Sequence, residues 1–302
     1  MNQMSPTPQV LCRPAIEADQ ADVTEFCKGI WEGEDYVPQV WERWFHDPDG
    51  LLAVAEFEGH AIGCSKISRL SKGQWWLEGF RVDPQYQGMK VGSHLHQYVT
   101  GWWLENGDGT LRLMTDGQNF VMHHLCAKTG YSKAGEVCGY RATSLEESAY
   151  NFVQMSDMEA AADFAVASES ITTTGGLIDL GWRICKPSEE SFNNYSKQNA
   201  DYIHMFYWWR DRQGLFSAWE DEDEERRTLV LGAVACALSD MAELLLDIRR
   251  FAAGRKFDDI FQIAFDIPQV TAQLLSAGFK KHWKRSNAFV FEKTQPFKVG
   301  NS

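Results

Sequence analysis

Residues 74–95, QWWLEGFRVDPQYQGMKVGSHL, decide how the rest of the chain is read. The stretch opens as a β-strand, QWWLEGFRVD, and breaks at Asp83-Pro84. It turns through Gly88 and Gly92 and continues as a helix over residues 91–104. A helix that starts straight after a glycine turn presents unsatisfied N–H groups and the positive end of its dipole, which suits a phosphate. The glycines let the backbone turn sharply and approach a ligand closely. Lys90 adds a point charge and Ser93 a hydroxyl. An ordinary strand-to-helix turn accounts for the same residues. The pattern is neither G-x-G-x-x-G nor G-x-x-x-x-G-K-[ST], which sets aside the Rossmann and P-loop fingerprints.

Working outward, residues 15–31 carry Ala15, Ile16, Val23, Phe26 and Ile30 at helical spacing. The aromatic and acidic stretch from Trp31 to Gly50 is broken at Pro38 and at Asp47–Gly50. LLAVAEF and AIGCSKISRL then alternate about a turn at Glu58-Gly59-His60, as a hairpin does. After the central stretch come a strand TLRLMTD, a helix NFVMHHLCAKTGY closing at Gly130, and a strand KAGEVCGYRAT. Helix, three strands, helix, strand, helix, strand is an α/β layer whose sheet is covered by helices on both faces.

Length and composition set the outer limits. The 302 residues exceed the needs of one ordinary core, so two domains are expected, divided in the acidic segment Thr143–Asn151. At 44% hydrophobic and 24% charged, the chain has the profile of a globular protein. A formal charge of −13 leaves no basic footprint for nucleic acid or an anionic membrane and favours amine-bearing small molecules. Seven cysteines without a C-x-x-C pair imply reduced thiols in a cytoplasmic protein, with neither a disulfide framework nor a zinc site. The N-terminal residues lack a basic region followed by an apolar one, so no secretory signal is expected, and no apolar run is long enough to span a membrane.

The second half repeats the plan loosely. MEAAADFAVASES reads as a helix, GLFSAWEDE with TLVLGAVACAL as a hairpin, and residues 239–252 as a helix. FDDIFQIAFD is a strand, IPQVTAQLLSAGF a helix ending at Gly278, and SNAFVFEK a strand. NFVMHHLCAKTGY and IPQVTAQLLSAGF echo one another, which suggests an internal duplication. The run WEDEDEERR reads as a solvated turn. No glycine turn joins strand to helix in LGAVACALSDMAELL, so this half is not expected to hold a phosphate ligand. The run Phe206, Tyr207, Trp208 and Trp209 suits either a cleft wall or a core.

RVDPQYQGMKVGSHLHQYV resembles the acetyl-CoA-binding motif of the GNAT N-acetyltransferase superfamily, V-x-P-x-[YF]-[RQ]-G-x-G-[IVL]-G. Val82, Pro84, Tyr86, Gln87, Gly88, Val91 and Gly92 match, and Lys90 replaces the central glycine. NFVMHHLCAKTGY resembles the family's N-x-x-A-x-x-L-Y-x-K-x-G-[FY] helix at Asn119, Leu125, Lys128, Gly130 and Tyr131. GIWEGEDYVPQVWERWF, with a degenerate second half behind this core, is similar to the histidine N-acetyltransferase group. The resemblance implies a GNAT fold, a mixed and mainly antiparallel sheet flanked by helices, in residues 11–145. It implies a degenerate GNAT-like copy in residues 151–297, which walls the acceptor cleft or forms the surface of a homodimer.

It also implies acetyl-CoA as co-substrate, held by Phe80, Arg81 and Val82 on the strand, by Gln87, Gly88, Met89, Lys90, Val91, Gly92 and Ser93 in the turn, and by Asn119. The acceptor implied is the amine of a small molecule, a free amino acid above all. A protein or peptide acetyltransferase and a non-catalytic acyl-CoA sensor are the competing readings. Amide formation needs a base for the acceptor ammonium, and Glu78 on the central strand is the candidate. Alternation puts Trp76, Glu78 and Phe80 on one face, an apolar setting that would raise a carboxyl's proton affinity. A structural ion pair with a neighbouring Lys or Arg is the other reading of Glu78. The thiolate acid is usually a Tyr, and here its position holds Cys126, either a thiol acid or a packing residue, with His123 or water as substitutes. Asn119 also suits a helix cap, and Tyr131 suits packing. Glu34, Asp35 and Tyr36 fall where the superfamily covers its acceptor, so they are candidate substrate contacts or a solvated acidic loop. His94-x-His96 and His123-His124 do not converge on a helix, and no metal is expected.

Overall fold

The computed structural model describes residues 9–146, 149–196, 203–223 and 226–297. Residues 147–148, inside the expected boundary, and Glu224-Glu225 of the acidic run lie outside the described residues. The strands are β1 (Leu11–Pro14), β2 (Leu51–Phe57), β3 (His60–Ser71), β4 (Gln74–Val82), β5 (Gly109–Asp116), β6 (Ser132–Thr143), β7 (Phe152–Met155) and β8 (Ile178–Asp179). They continue with β9 (Ile184–Cys185), β10 (Met205–Trp209), β11 (Gly214–Glu222), β12 (Arg227–Cys236), β13 (Asp259–Phe265), β14 (Lys280–Lys281) and β15 (Ala288–Gln295). The helices are α1 (Asp19–Cys27), α2 (Val37–Phe45), α3 (Val91–Asn106), α4 (Phe120–Lys128) and α5 (Met158–Ala167). The remaining helices are α6 (Glu169–Thr173), α7 (Glu189–Ser196), α8 (Met241–Gly254) and α9 (Pro268–Ser276).

One sheet runs through both halves, in the order β1-β2-β3-β4-β5-β15-β6-β13-β12-β11-β10-β7, with β14 beside β6. Its pairings are antiparallel except β4 with β5 and β12 with β13. Strand alternation assigns the helices to faces. Leu51 and Ala53 of β2 pack with Val91, Leu95 and Val99 of α3. Leu52 and Val54 pack with Val23 of α1 and Trp41 and Trp44 of α2. In the second half Leu229 and Leu231 face Leu244 and Ile248 of α8, while Val230 faces the core beneath α5 and α7. The expected α/β layer with helices on both faces is what the chain forms.

The order of the central strands joins the halves. β15, the last strand, lies between β5 and β6, pairing Ala288 with Asp116 on one side and with Val137 on the other. β6 pairs with β13 along its other edge, Val137 with Phe265 through Thr143 with Asp259. Each half thus lends its last strand to its neighbour, and the composition change at 143–151 marks a crossing between β6 and β7 in an unbroken sheet.

Two sequence readings change, and one with two alternatives is decided. The first helix is shorter than residues 15–31, spanning Asp19–Cys27. A second helix, α2, occupies the stretch read as broken, because Pro38 sits in its first turn, where a missing N–H costs nothing. The Phe206–Trp209 run is a strand buried on both faces and no cleft wall: Phe206 and Trp208 enter one core, Tyr207 and Trp209 the other. Among the described residues no helix is long and apolar enough to cross a membrane.

Two histidines are locked in these cores. His96 is fully buried against Tyr131, with ring centroids 5.5 Å apart, and His204 is buried against Trp219 at 4.6 Å. Burial pulls their pKa values down to about 4 and about 3 respectively. Because the unfolded chain binds these protons near pH 6.5 and the folded chain does not, stability is full above that pH. It drains away as pH falls toward 4, by roughly 3 kcal/mol for His96 alone. Thermal melts between pH 7 and 4 should show a steep fall that His96→Asn reduces. A melting temperature flat over that interval would contradict this.

Candidate active site

β4 and β5 are paired only at their beginnings, Gln74 with Thr110, Trp75 with Leu111 and Trp76 with Arg112. Beyond Trp76 the two strands part, although β4 continues to Val82 and β5 to Asp116. Residues Leu77–Val82 therefore have a strand partner, β3, on one edge alone. The other edge borders a wedge-shaped slot. An extended, amide-bearing molecule can pair with such an edge as an added strand would.

A β-bulge shapes the slot. Between the pairs Lys66–Glu78 and Cys64–Arg81, β4 takes three steps where β3 takes two. The extra residue, Gly79, has φ +61, and a Cβ there would fall 2.5 Å from the Trp44 ring, so only glycine fits. The bulge overturns the simple alternation of the sequence reading. Trp76 and Glu78 face the second half, whereas Phe80 turns to the opposite face and packs with His96 and the α3 core.

From Val82 the chain passes directly into the turn that opens α3. Gly88 has φ +89 and Lys90, the residue before the helix, has φ +60. Neither a side-chain cap nor an acidic residue in the first turn satisfies this end of α3. By contrast, Asn119 caps α4 by accepting from the Met122 N–H at 3.1 Å, and Asp157 caps α5 by accepting from Ala160 at 3.0 Å. A sixteen-residue helix with an exposed, uncapped N-terminus, reached through two left-handed residues, is a ready anion cradle. Gln87, Gly88, Met89 and Lys90 are solvent-exposed, and Val91, Gly92 and Ser93 carry the leading N–H groups.

Around the bulge the fold gathers charge. Glu78 accepts two bonds from Nε and two from a terminal nitrogen of Arg183, at 2.9 to 3.2 Å, and a fifth from Ser68 at 3.0 Å. Both partners of this pair are nearly buried. The pairing reading of Glu78 is thus realised, with a partner from the second half that sequence inspection missed. Nothing local announces Arg183, because the contact spans 105 residues. The phenol of Tyr36 faces the Gly79 backbone; burial and the nearby Glu78 carboxylate push it up to about 12, so it remains a proton donor at neutral pH.

The other candidates are placed as follows. Asp35 is buried and holds Arg81 at 2.5 Å, besides accepting from the Val37 N–H. It is not free to meet an amine. Arg81 in turn lies 4.1 Å over the Trp31 ring, so its backbone, not its side chain, borders the slot. Glu34 is exposed. Cys126 is fully buried in the α3–α4 core, and desolvation lifts its thiol up to about 12. It packs there. Tyr131 is buried beside Thr100 at 3.3 Å. His123 stacks on Phe289 at 5.1 Å. Among the described residues no three His, Cys, Asp or Glu side chains converge as a metal site would require.

Comparison with known proteins gives this geometry a context. Residues 17–131 match the profile of the acetyltransferase (GNAT) family. Over 87 residues the chain is 31% identical to "Probable N-acetyltransferase 16" of Homo sapiens, covering 28% of this chain and 24% of that one. Over 85 residues it is 28% identical to "Histidine N-acetyltransferase" of Xenopus tropicalis, covering 28% and 26%. The matched segment thus spans about a quarter of the length of these curated relatives. In structure the chain is similar to a tandem GNAT protein from the clavulanic acid biosynthesis pathway, with TM-score 0.56 and 10% identity, over 94% of this chain and 98% of that one.

Proposed function

We propose that the protein, whose residues 17–131 match the acetyltransferase (GNAT) family, is an acetyl-CoA-dependent N-acetyltransferase acting on the amine of a small molecule. An amino acid of the histidine kind is the acceptor that the relatives favour. Residues 11–145 would carry the chemistry, and residues 151–297 would be a degenerate copy that walls the acceptor cleft and supplies Arg183. The observation that carries the reading is the continuity of slot and cradle. A single segment, Leu77–Ser93, offers a free strand edge, then an open turn, then uncapped helical N–H groups.

Those residues suit acetyl-CoA: the edge at Phe80–Val82 for its amide-bearing arm and Gln87–Ser93 for its diphosphate, with Asn119 on the neighbouring helix. Acetyl-CoA supplies the activated acetyl group. The protein's own task is to hold the amine at the slot and remove its proton. Glu78 borders the slot and takes that proton, directly or through water, while Arg183 fixes the carboxylate's orientation. Tyr36, still protonated, donates toward the carbonyl or the departing sulfur. A non-catalytic acyl-CoA sensor is the second reading, favoured by the full engagement of Glu78 and by the buried thiol at Cys126. Coenzyme A release across a panel of free amino acids, amines and peptides separates the two, since a sensor binds without turnover.

The cradle has its own test. A Cβ at Gly92 has room, its nearest neighbour being Phe80 at 3.6 Å. A carboxylate in the first turn of a helix also favours the helix dipole. Gly92→Asp should therefore leave the fold intact while repelling a diphosphate, weakening acetyl-CoA binding by about 100-fold or more in calorimetry. Unchanged affinity would remove the cradle from the account.

A further inference from the structure

On the second-half side of the sheet, a cavity of about 210 Å³ lies over β6, β12 and β13. Phe261 forms part of its floor, and its strand stands four places along the sheet from the strand that carries Glu78. It is therefore separate from the β4–β5 slot. Trp182 and Trp283 complete the walls, and Trp182 stacks nearly parallel to Phe261 and to Trp283, with centroids 5.9 Å away in each case. These are flat, apolar faces.

The polar lining is of two signs. Arg141 donates from one terminal nitrogen to both carboxylate oxygens of Asp259 at 2.7 and 2.8 Å, and its side chain stays 29% exposed along the cavity. His282 lines the same cavity and is held below its ordinary pKa, by burial first and then by Arg141, so it is neutral at pH 7. Opposite in sign is Asp221, exposed at the end of β11 and also lining the cavity.

Trp182 itself is held under strain. It follows Gly181 in the turn between β8 and β9, closed by the Leu180 N–H donating to the Arg183 carbonyl at 2.9 Å. Its φ of +66 is a left-handed conformation costly for a bulky side chain, and the ring is still 40% exposed. Strain of this kind persists where the position of the ring matters.

We propose that this cavity binds a free α-amino acid with a planar side chain, the carboxylate meeting the exposed part of the Arg141 guanidinium, the ammonium meeting Asp221, and the ring lying against Trp182 and Trp283. The site does not depend on acetyl transfer. Trp182 precedes Arg183, the residue that holds Glu78, so occupancy of the cavity reaches the slot through one peptide bond.

Calorimetry on the full chain, saturated with coenzyme A, is the test. L-Tryptophan or L-phenylalanine, neither of them the histidine-like acceptor proposed for the slot, should bind at one site per chain. L-Alanine, which has no ring, and indole, which has no zwitterion, should bind at least tenfold more weakly. Trp182→Ala and Asp221→Asn should each weaken the planar amino acid at least tenfold while leaving coenzyme A affinity and melting temperature near those of the parent. Absence of heat from every planar amino acid overturns the site. Undiminished binding in both variants overturns it too, because the ligand is then elsewhere, and indole binding as tightly as L-tryptophan overturns the zwitterion.

Discussion

A chain ended at Asn287, without β15, is expected not to fold. β15 pairs along its whole length with β5, from Ala288 opposite Asp116 to Gln295 opposite Gly109, and with β6 from Ala288 to Glu292. It also buries Val290 and Phe291. Its side chains finish the first half's helices. Gln295 donates to the carbonyls of Trp103 and Gly107 at the end of α3, and Lys293 donates to the carbonyl of Thr129 just past α4. On the order of a dozen hydrogen bonds at about 1 kcal/mol each would vanish, comparable with the whole stability of an ordinary domain, about 5–15 kcal/mol. Circular dichroism should show no cooperative melt, and acetyl-CoA binding should be gone even though every residue of the cradle is present. A truncated chain that melts within a few degrees of the parent and binds the thioester would show that the lent strand is dispensable.

Exchanging Glu78 for Gln should lower kcat/KM by about 10²–10⁴-fold near pH 7, and much less at alkaline pH where the acceptor amine is already neutral. Gln keeps the shape of Glu but leaves the nearly buried Arg183 without its counter-charge and turns an amide NH2 toward it, so the melting temperature should fall as well, and the test of the base is the pH dependence of the loss. The opposite substitution also strands a charge. Arg183→Ala leaves Glu78 nearly buried without its cation, which costs about 3–5 kcal/mol. It should therefore lower stability and activity together. Steady-state kinetics from pH 6.5 to 9.5 and thermal melts of both variants decide the matter. If the rate of Glu78→Gln stays at the parent's level at every pH, Glu78 serves the structure alone, and the proton leaves by another path.

Much of this arrangement is legible along the chain because it rests on near neighbours. The alternation of LLAVAEF and AIGCSKISRL forces a hairpin, and Gly88 and Gly92 with Lys90 signal a turn opening a helix, since both patterns depend on local backbone preference. Asn119 could be recognised as a helix cap for the same reason. Local rules misled where one residue type serves two positions. Pro38 reads as a break although it sits in the first turn of α2, and alternation fails at Gly79 because a bulge needs the packing of Trp44 to explain it.

Residue order alone determined the α/β layering, the two-part plan and the glycine turn that opens α3, since periodicity and turn chemistry act over a few residues. Tertiary structure alone decided that β15 crosses into the first half, that Asp35 is taken by Arg81, that Cys126 is sealed in a core, and that Glu78 meets Arg183. Those outcomes depend on burial and on contacts between residues tens to nearly two hundred positions apart, and such partners compete only once the sheet has closed.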